Sequence, residues 1–140
     1  MPHISFPLER TWSARSAWRT MGISDRACRR AIERGLVPRK ALRGEHLIAL
    51  RVIAAIENFP AFPDAPSEEL LLERSHIASK AALECWHQGD PSWLILVTPI
   101  DARLSRDHSI SIALMENYSG APIMLLPIGK WCTDLQKSVS

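Results

Sequence analysis

Residues 45 to 59 read "EHLIALRVIAAIENF", and at about 100° per residue Leu47, Ile48, Leu50, Val52, Ile53, Ala55 and Ile56 go almost all the way round a helix. A helix with one apolar stripe can lie on a surface, but one that is apolar on nearly every side must be covered on more than one. The segment therefore predicts a helix over about Glu45 to Phe59, held between an N-terminal unit and a second layer supplied by the rest of the chain. With 140 residues, 46% hydrophobic and 23% charged, the chain has the composition of a globular protein able to bury such a helix.

Several classes are disfavoured at once. The longest nearly uncharged run, Ser92 to Ile100, falls far short of the ~20 apolar residues of a spanning helix. The N-terminus lacks the basic-then-apolar plan of a signal peptide, so the expected location is the cytoplasm, with no membrane partner. Cys28, Cys85 and Cys132 lie far apart without a CxxC, and the histidines at 3, 46, 76, 87 and 108 share no ligand spacing. Buried thiols in a reducing compartment are expected, with no metal site and no cofactor. No glycine-rich phosphate loop or nucleophile elbow is present, and Asp101, Asp107 and His108 read as caps and loop polars. No catalytic residue is assigned, and the chain is not expected to be an enzyme.

Charge is unevenly distributed. Residues 1 to 59 hold 11 Lys/Arg against 5 Asp/Glu, and residues 60 to 140 hold 6 against 10. The change falls at "NFPAFPDAPSEE", where Pro60, Pro63 and Pro66 interrupt helix and strand alike. We expect an N-terminal unit over 1–59, a linker at 60–66 and a second unit over 67–140.

In the basic half, Thr11 or Ser13 can cap a helix over about 13 to 21, with Ala14, Ala17, Trp18 and Met21 on one face. Gly22 supplies a turn, Ser24 or Asp25 caps a second helix to about Arg34, and Gly35 ends it. On that helix Ala27, Cys28, Ala31 and Ile32 gather on one side, while Arg26, Arg29, Arg30 and Glu33 gather on the other. Small residues let the helix sit close on its neighbour, and the guanidinium forks match both phosphates and the O6/N7 edge of guanine. A solvated face would mix Lys and Glu at i, i+4; here one Glu33 faces three arginines, which favours DNA contact. Glu33 is expected to hold Arg29 or Arg30 by an intrahelical pair. Beyond Pro38 a short turn carries Arg39, Lys40 and Arg43, placed like a wing.

The order of helix, "GIS", Arg-bearing helix, "ERGLVP", basic wing and "EHLIALRVIAAI" resembles the DNA-binding domain of MerR-family regulators over residues 12 to 57. Its wing is short, like those of small phage and actinobacterial regulators and excisionases. Trp18 stands where that family has a small residue, which shifts the helix packing onto Ala17. The resemblance implies a winged helix-turn-helix whose second helix enters the major groove while the wing grips the backbone. The DNA-binding residues would then be Ser24, Arg26, Arg29, Arg30 and Arg34 around the second helix, with Arg39, Lys40 and Arg43 in the wing.

The acidic half opens with Ser67 as a cap and reads as one long helix to about Gln88, with a stripe of Leu70, Ile77, Ala78, Ala81, Ala82 and Cys85 that Arg74 interrupts. "SWLILVTP", "ARLS" and "PIMLLP" read as strands, "DHSISIALMENYSG" as a helix, and "GKWCTDLQKSV" as a final helix. Trp86, Trp93 and Trp131 are expected to anchor a core or an interface. The fold class expected is mainly α with a small α/β C-terminal part: a winged helix-turn-helix, a long helix and a β-β-α-β-α unit. The function expected is a sequence-specific double-stranded DNA-binding regulator, a repressor acting by operator occupancy, of phage immunity type. Residues 67–140 would serve association with a second copy or a protein partner. The alternatives are an excisionase-like architectural factor, an antitoxin-like interaction module and a ligand-sensing activator.

Overall fold

The computed structural model describes residues 7–59, 66–88, 93–96, 102–105 and 124–139. In chain order they form β1 (Thr11–Trp12), α1 (Ala14–Met21), α2 (Asp25–Glu33), β2 (Leu42–Arg43), α3 (Gly44–Glu57), α4 (Glu68–Gln88), β3 (Trp93–Leu96), β4 (Ala102–Ser105), β5 (Met124–Leu126) and α5 (Ile128–Val139). The chain is mainly helical, with small antiparallel sheets. The helix expected within "DHSISIALMENYSG" and most of the 60–66 linker lie outside the described residues.

The two short helices start and stop for local reasons. Ser13 is extended at φ −72°, ψ 160°, and its hydroxyl accepts the Ser16 N–H at 3.2 Å, capping α1. Gly22 at φ 66° closes α1, and the Ile23 N–H returns to the Trp18 carbonyl at 3.1 Å. Ser24 then caps α2 by accepting the Ala27 N–H at 3.0 Å. Ala17, Cys28 and Ala31 are buried where the helices meet, and the Cys28 thiol lies 3.8 Å from the Ala14 carbonyl. Trp18, by contrast, is half-buried.

The chain turns after α2 at Gly35 and runs through Val37 and Pro38 to β2, which pairs antiparallel with β1 through Thr11 with Arg43 and Trp12 with Leu42. The sequence carried no sign of β1: two residues are too few for an alternation, and the pairing is created by the return of β2. Leu42 is fully buried beneath this ribbon.

Helix α3 is buried on nearly every side, as its sequence requires. Leu47, Ile48, Leu50, Val52, Ile53 and Ile56 are almost wholly enclosed, each contributing roughly 1.5–3 kcal/mol of burial free energy. The helices α1 and α2 lean on one side of it, while α4 and α5 cover another. Two hydroxyls tie α4 to the N-terminal residues: Ser75 donates to the Leu36 carbonyl at 2.9 Å and Ser79 to the Glu45 carbonyl at 3.3 Å. The buried residues form one continuous cluster running from Trp12 to Leu135.

The face α4 presents to that cluster is displaced by about one residue from the stripe read in the sequence. Leu71, Arg74, Ser75, Ala78, Ala81, Ala82, Cys85 and Trp86 are buried, whereas Leu70 and Ile77 are half-buried. Arg74 lies within the packed face, 3% exposed, with Nη1 at 2.8 Å from Glu73 Oε1, so it does not interrupt the buried stripe. Trp86 and Trp131 are buried as expected, and the Trp86 indole N–H donates to the Cys132 carbonyl at 3.1 Å. The side chain of Trp93 lies outside the described residues. The second sheet has the order β4-β3-β5, antiparallel throughout, with Leu94 opposite both Leu104 and Leu126.

Candidate nucleic-acid interface

The outward face of α2 follows from its inward one. Cys28 and Ala31 are fixed against α1, so Arg26, Arg29 and Glu33 face solvent and Arg30 stands at the edge, half-exposed. Ser24 is exposed, its oxygen engaged by the Ala27 N–H at the positive end of the helix.

The arginines differ in their partners. Arg26 has no ion pair among the described residues. Arg29 Nε lies 3.0 Å from Asp25 Oδ1, one turn back, with both side chains well exposed. Arg30 Nη1 lies 3.4 Å from Glu57 Oε2, and the Glu57 side chain is only 13% exposed. Arg34, the last cap of α2, reaches Glu68 at 3.8 Å. The pair expected between Glu33 and Arg29 or Arg30 does not form: Asp25 and Glu57 take those arginines instead. Glu57 and Glu68 are residues the sequence reading missed, because they lie far along the chain from their partners and no local pattern marks them.

The wing-like turn presents Arg39, Lys40 and Arg43, all exposed. Ala41 adopts φ 54°, a left-handed conformation that side chains with a Cβ seldom take, and it turns the chain between Lys40 and Leu42. At the base of the turn the Arg43 N–H donates to His46 Nδ1 at 2.9 Å, which holds the imidazole neutral. Burial pushes the His46 pKa below its usual value and the Arg43 charge adds to this, while Glu45 opposes it. Beside the turn, Arg10 lies over the Trp12 ring at 5.0 Å, a further exposed cation the sequence reading did not assign.

Between the start of α2 and the end of α3 lies a cleft of about 270 Å³ whose walls include Arg26, Arg30, Ala54, Glu57 and Asn58. Both α2 and β2 abut α3, so the Arg-bearing helix and the basic turn are mounted on the same buried support.

Among the described residues, no group of three His, Cys, Asp or Glu side chains is placed to hold a metal ion. The three cysteines are buried and not disulfide-bonded; burial pushes the Cys28 thiol pKa up, and a hydrogen bond with Cys85 together with burial pushes Cys132 well above its ordinary range. No described helix is long and apolar enough to cross a membrane. No family model matches the chain, and neither curated proteins nor solved structures yield a match.

Proposed function

We propose that the chain is a sequence-specific double-stranded DNA-binding transcriptional regulator, a repressor that acts by occupying its operator. In this reading α1 and α2 form a helix-turn-helix of the MerR-like kind, and the turn from Pro38 to Arg43 is a short wing. The observation that carries it is the outward face bearing Arg26 and Arg29, with Arg30 at its edge, on a helix whose opposite side is anchored by Cys28 and Ala31. Arginine forks in that setting suit base edges, and the exposed Arg39, Lys40 and Arg43 suit phosphates. Ser24 and the start of α2 add a backbone contact, and Arg34, at the other end of the helix, lies one turn beyond Arg30.

The remainder of the chain would mediate association.

The reading is tested by salt. If about five to seven cations meet phosphates, log affinity for duplex DNA falls against log salt with a slope of roughly −5 to −6. Fluorescence anisotropy with a labelled duplex measures it, and a slope near zero contradicts the proposal.

A further inference from the structure

Glu57 occupies a costly place. It is the last residue of α3, where the exposed carbonyls make the helix end negative and a carboxylate is unfavourable. Its side chain is 13% exposed, and its Oε1 is buried without a hydrogen-bond partner. A desolvated carboxylate oxygen with no donor works against folding. What the residue gains is the 3.4 Å contact with Arg30 Nη1.

The neighbouring acids are different. Glu68 is 70% exposed and 3.8 Å from Arg34, and Asp25 is 42% exposed beside an Arg29 that is itself 72% exposed. Pairs of that kind are screened, and their side chains are free to rearrange. Of the three acids that meet the arginines at α2, Glu57 is the one immobilised by burial.

Arg30 is 42% exposed. Glu57 takes Nη1, and the guanidinium lines the open cleft that Arg26 also lines. A guanidinium tethered at one nitrogen has less freedom to lose on binding, and its remaining donors suit the paired O6 and N7 acceptors of guanine. The Glu57 charge also weakens the general attraction of this site for phosphate, so it favours the cognate sequence relative to all others.

We propose that Glu57 is a specificity-determining positioning residue: it fixes the guanidinium of Arg30 so that Arg30 reads one guanine in the operator. The inference rests on α2 being the base-reading helix. Glu57 itself touches no base.

The test is selection from random duplex DNA by the intact protein, scored position by position, for the wild type and for Arg30→Ala, Glu57→Met and Glu68→Gln. The wild type prefers guanine at one position, and both Arg30→Ala and Glu57→Met relax that same position, the preference falling roughly 5- to 100-fold. Glu57→Met binds random-sequence duplex no more weakly than the wild type. It also melts no earlier, because an apolar side chain of similar length replaces a carboxylate with an orphaned oxygen and Arg30 can turn to solvent. Glu68→Gln leaves every position unchanged.

The proposal is overturned if Glu57→Met keeps the wild-type preference where Arg30→Ala loses it, or if Arg30→Ala relaxes no position. It is equally overturned if Glu57→Met weakens all positions together with a lowered melting temperature, the mark of a structural role. A wild type that selects no motif removes the base-reading assignment itself, which is a different result from a motif that Glu57→Met leaves intact.

Discussion

His46 shows what a single side chain does at the base of the candidate wing. Its Nδ1 accepts the Arg43 N–H, closing the first turn of α3 at the point where β2 ends. The bond requires neutral imidazole, and burial holds the folded-state pKa below the unfolded value of about 6.5. A group with a depressed pKa in the folded state contributes stability that is fully present above the unfolded value and lost as pH falls below it. Thermal unfolding followed from pH 7.5 downward should therefore show a loss below about pH 6.5 that His46→Gln flattens, since glutamine can accept the same N–H without titrating near neutrality. An unchanged pH profile in the variant would remove His46 from this role. At this scale the sequence was legible where residues act within one turn: Ser13 and Ser24 as caps, Gly22 and Gly35 as stops, and Cys28 and Ala31 as the inward face. It was illegible where partners come from elsewhere. Glu57 and Glu68 reach α2 only because the end of α3 and the start of α4 come near it, whereas Asp25 rather than Glu33 holding Arg29 is a local pair that was misread.

Among the elements, α3 bears the most weight. Its apolar residues go round the whole helix because α1 and α2 lean on one side while α4 and α5 lie on another. Ile53 is 1% exposed, so Ile53→Ala should leave a cavity and cost about 2–5 kcal/mol, measured by urea unfolding. A loss below about 1 kcal/mol would mean that α3 is not the shared support described above. The same all-round pattern made α3 readable from sequence. The pattern in α4 was harder, because Leu70 and Ile77 have the spacing of a buried stripe while Arg74 and Ser75, both buried, do not look apolar. Ser75 is admitted by its bond to the Leu36 carbonyl, and Arg74 by its bond to Glu73. Strands β3 and β5 announced themselves as apolar runs and β4 only as a brief stretch between them, and their order in the sheet depends on long-range pairing that no local pattern encodes.

For the molecule as a whole, the relevant fact is that a basic N-terminal stretch and an acidic remainder share one continuous core. The cations are concentrated in the first 59 residues, with Arg39, Lys40 and Arg43 exposed together on one turn, and such asymmetry orients encounter with a polyanion. It also means that the Arg-bearing helix rests on α3, against which α4 packs. A face mounted in this way is expected to discriminate among sequences rather than merely attract charge. The most direct measurement is selection from random duplex DNA by the intact protein beside a variant in which Arg26, Arg29 and Arg30 are all alanine. One enriched motif that vanishes in the variant is the predicted result. No motif, or the same motif in both proteins, would contradict it.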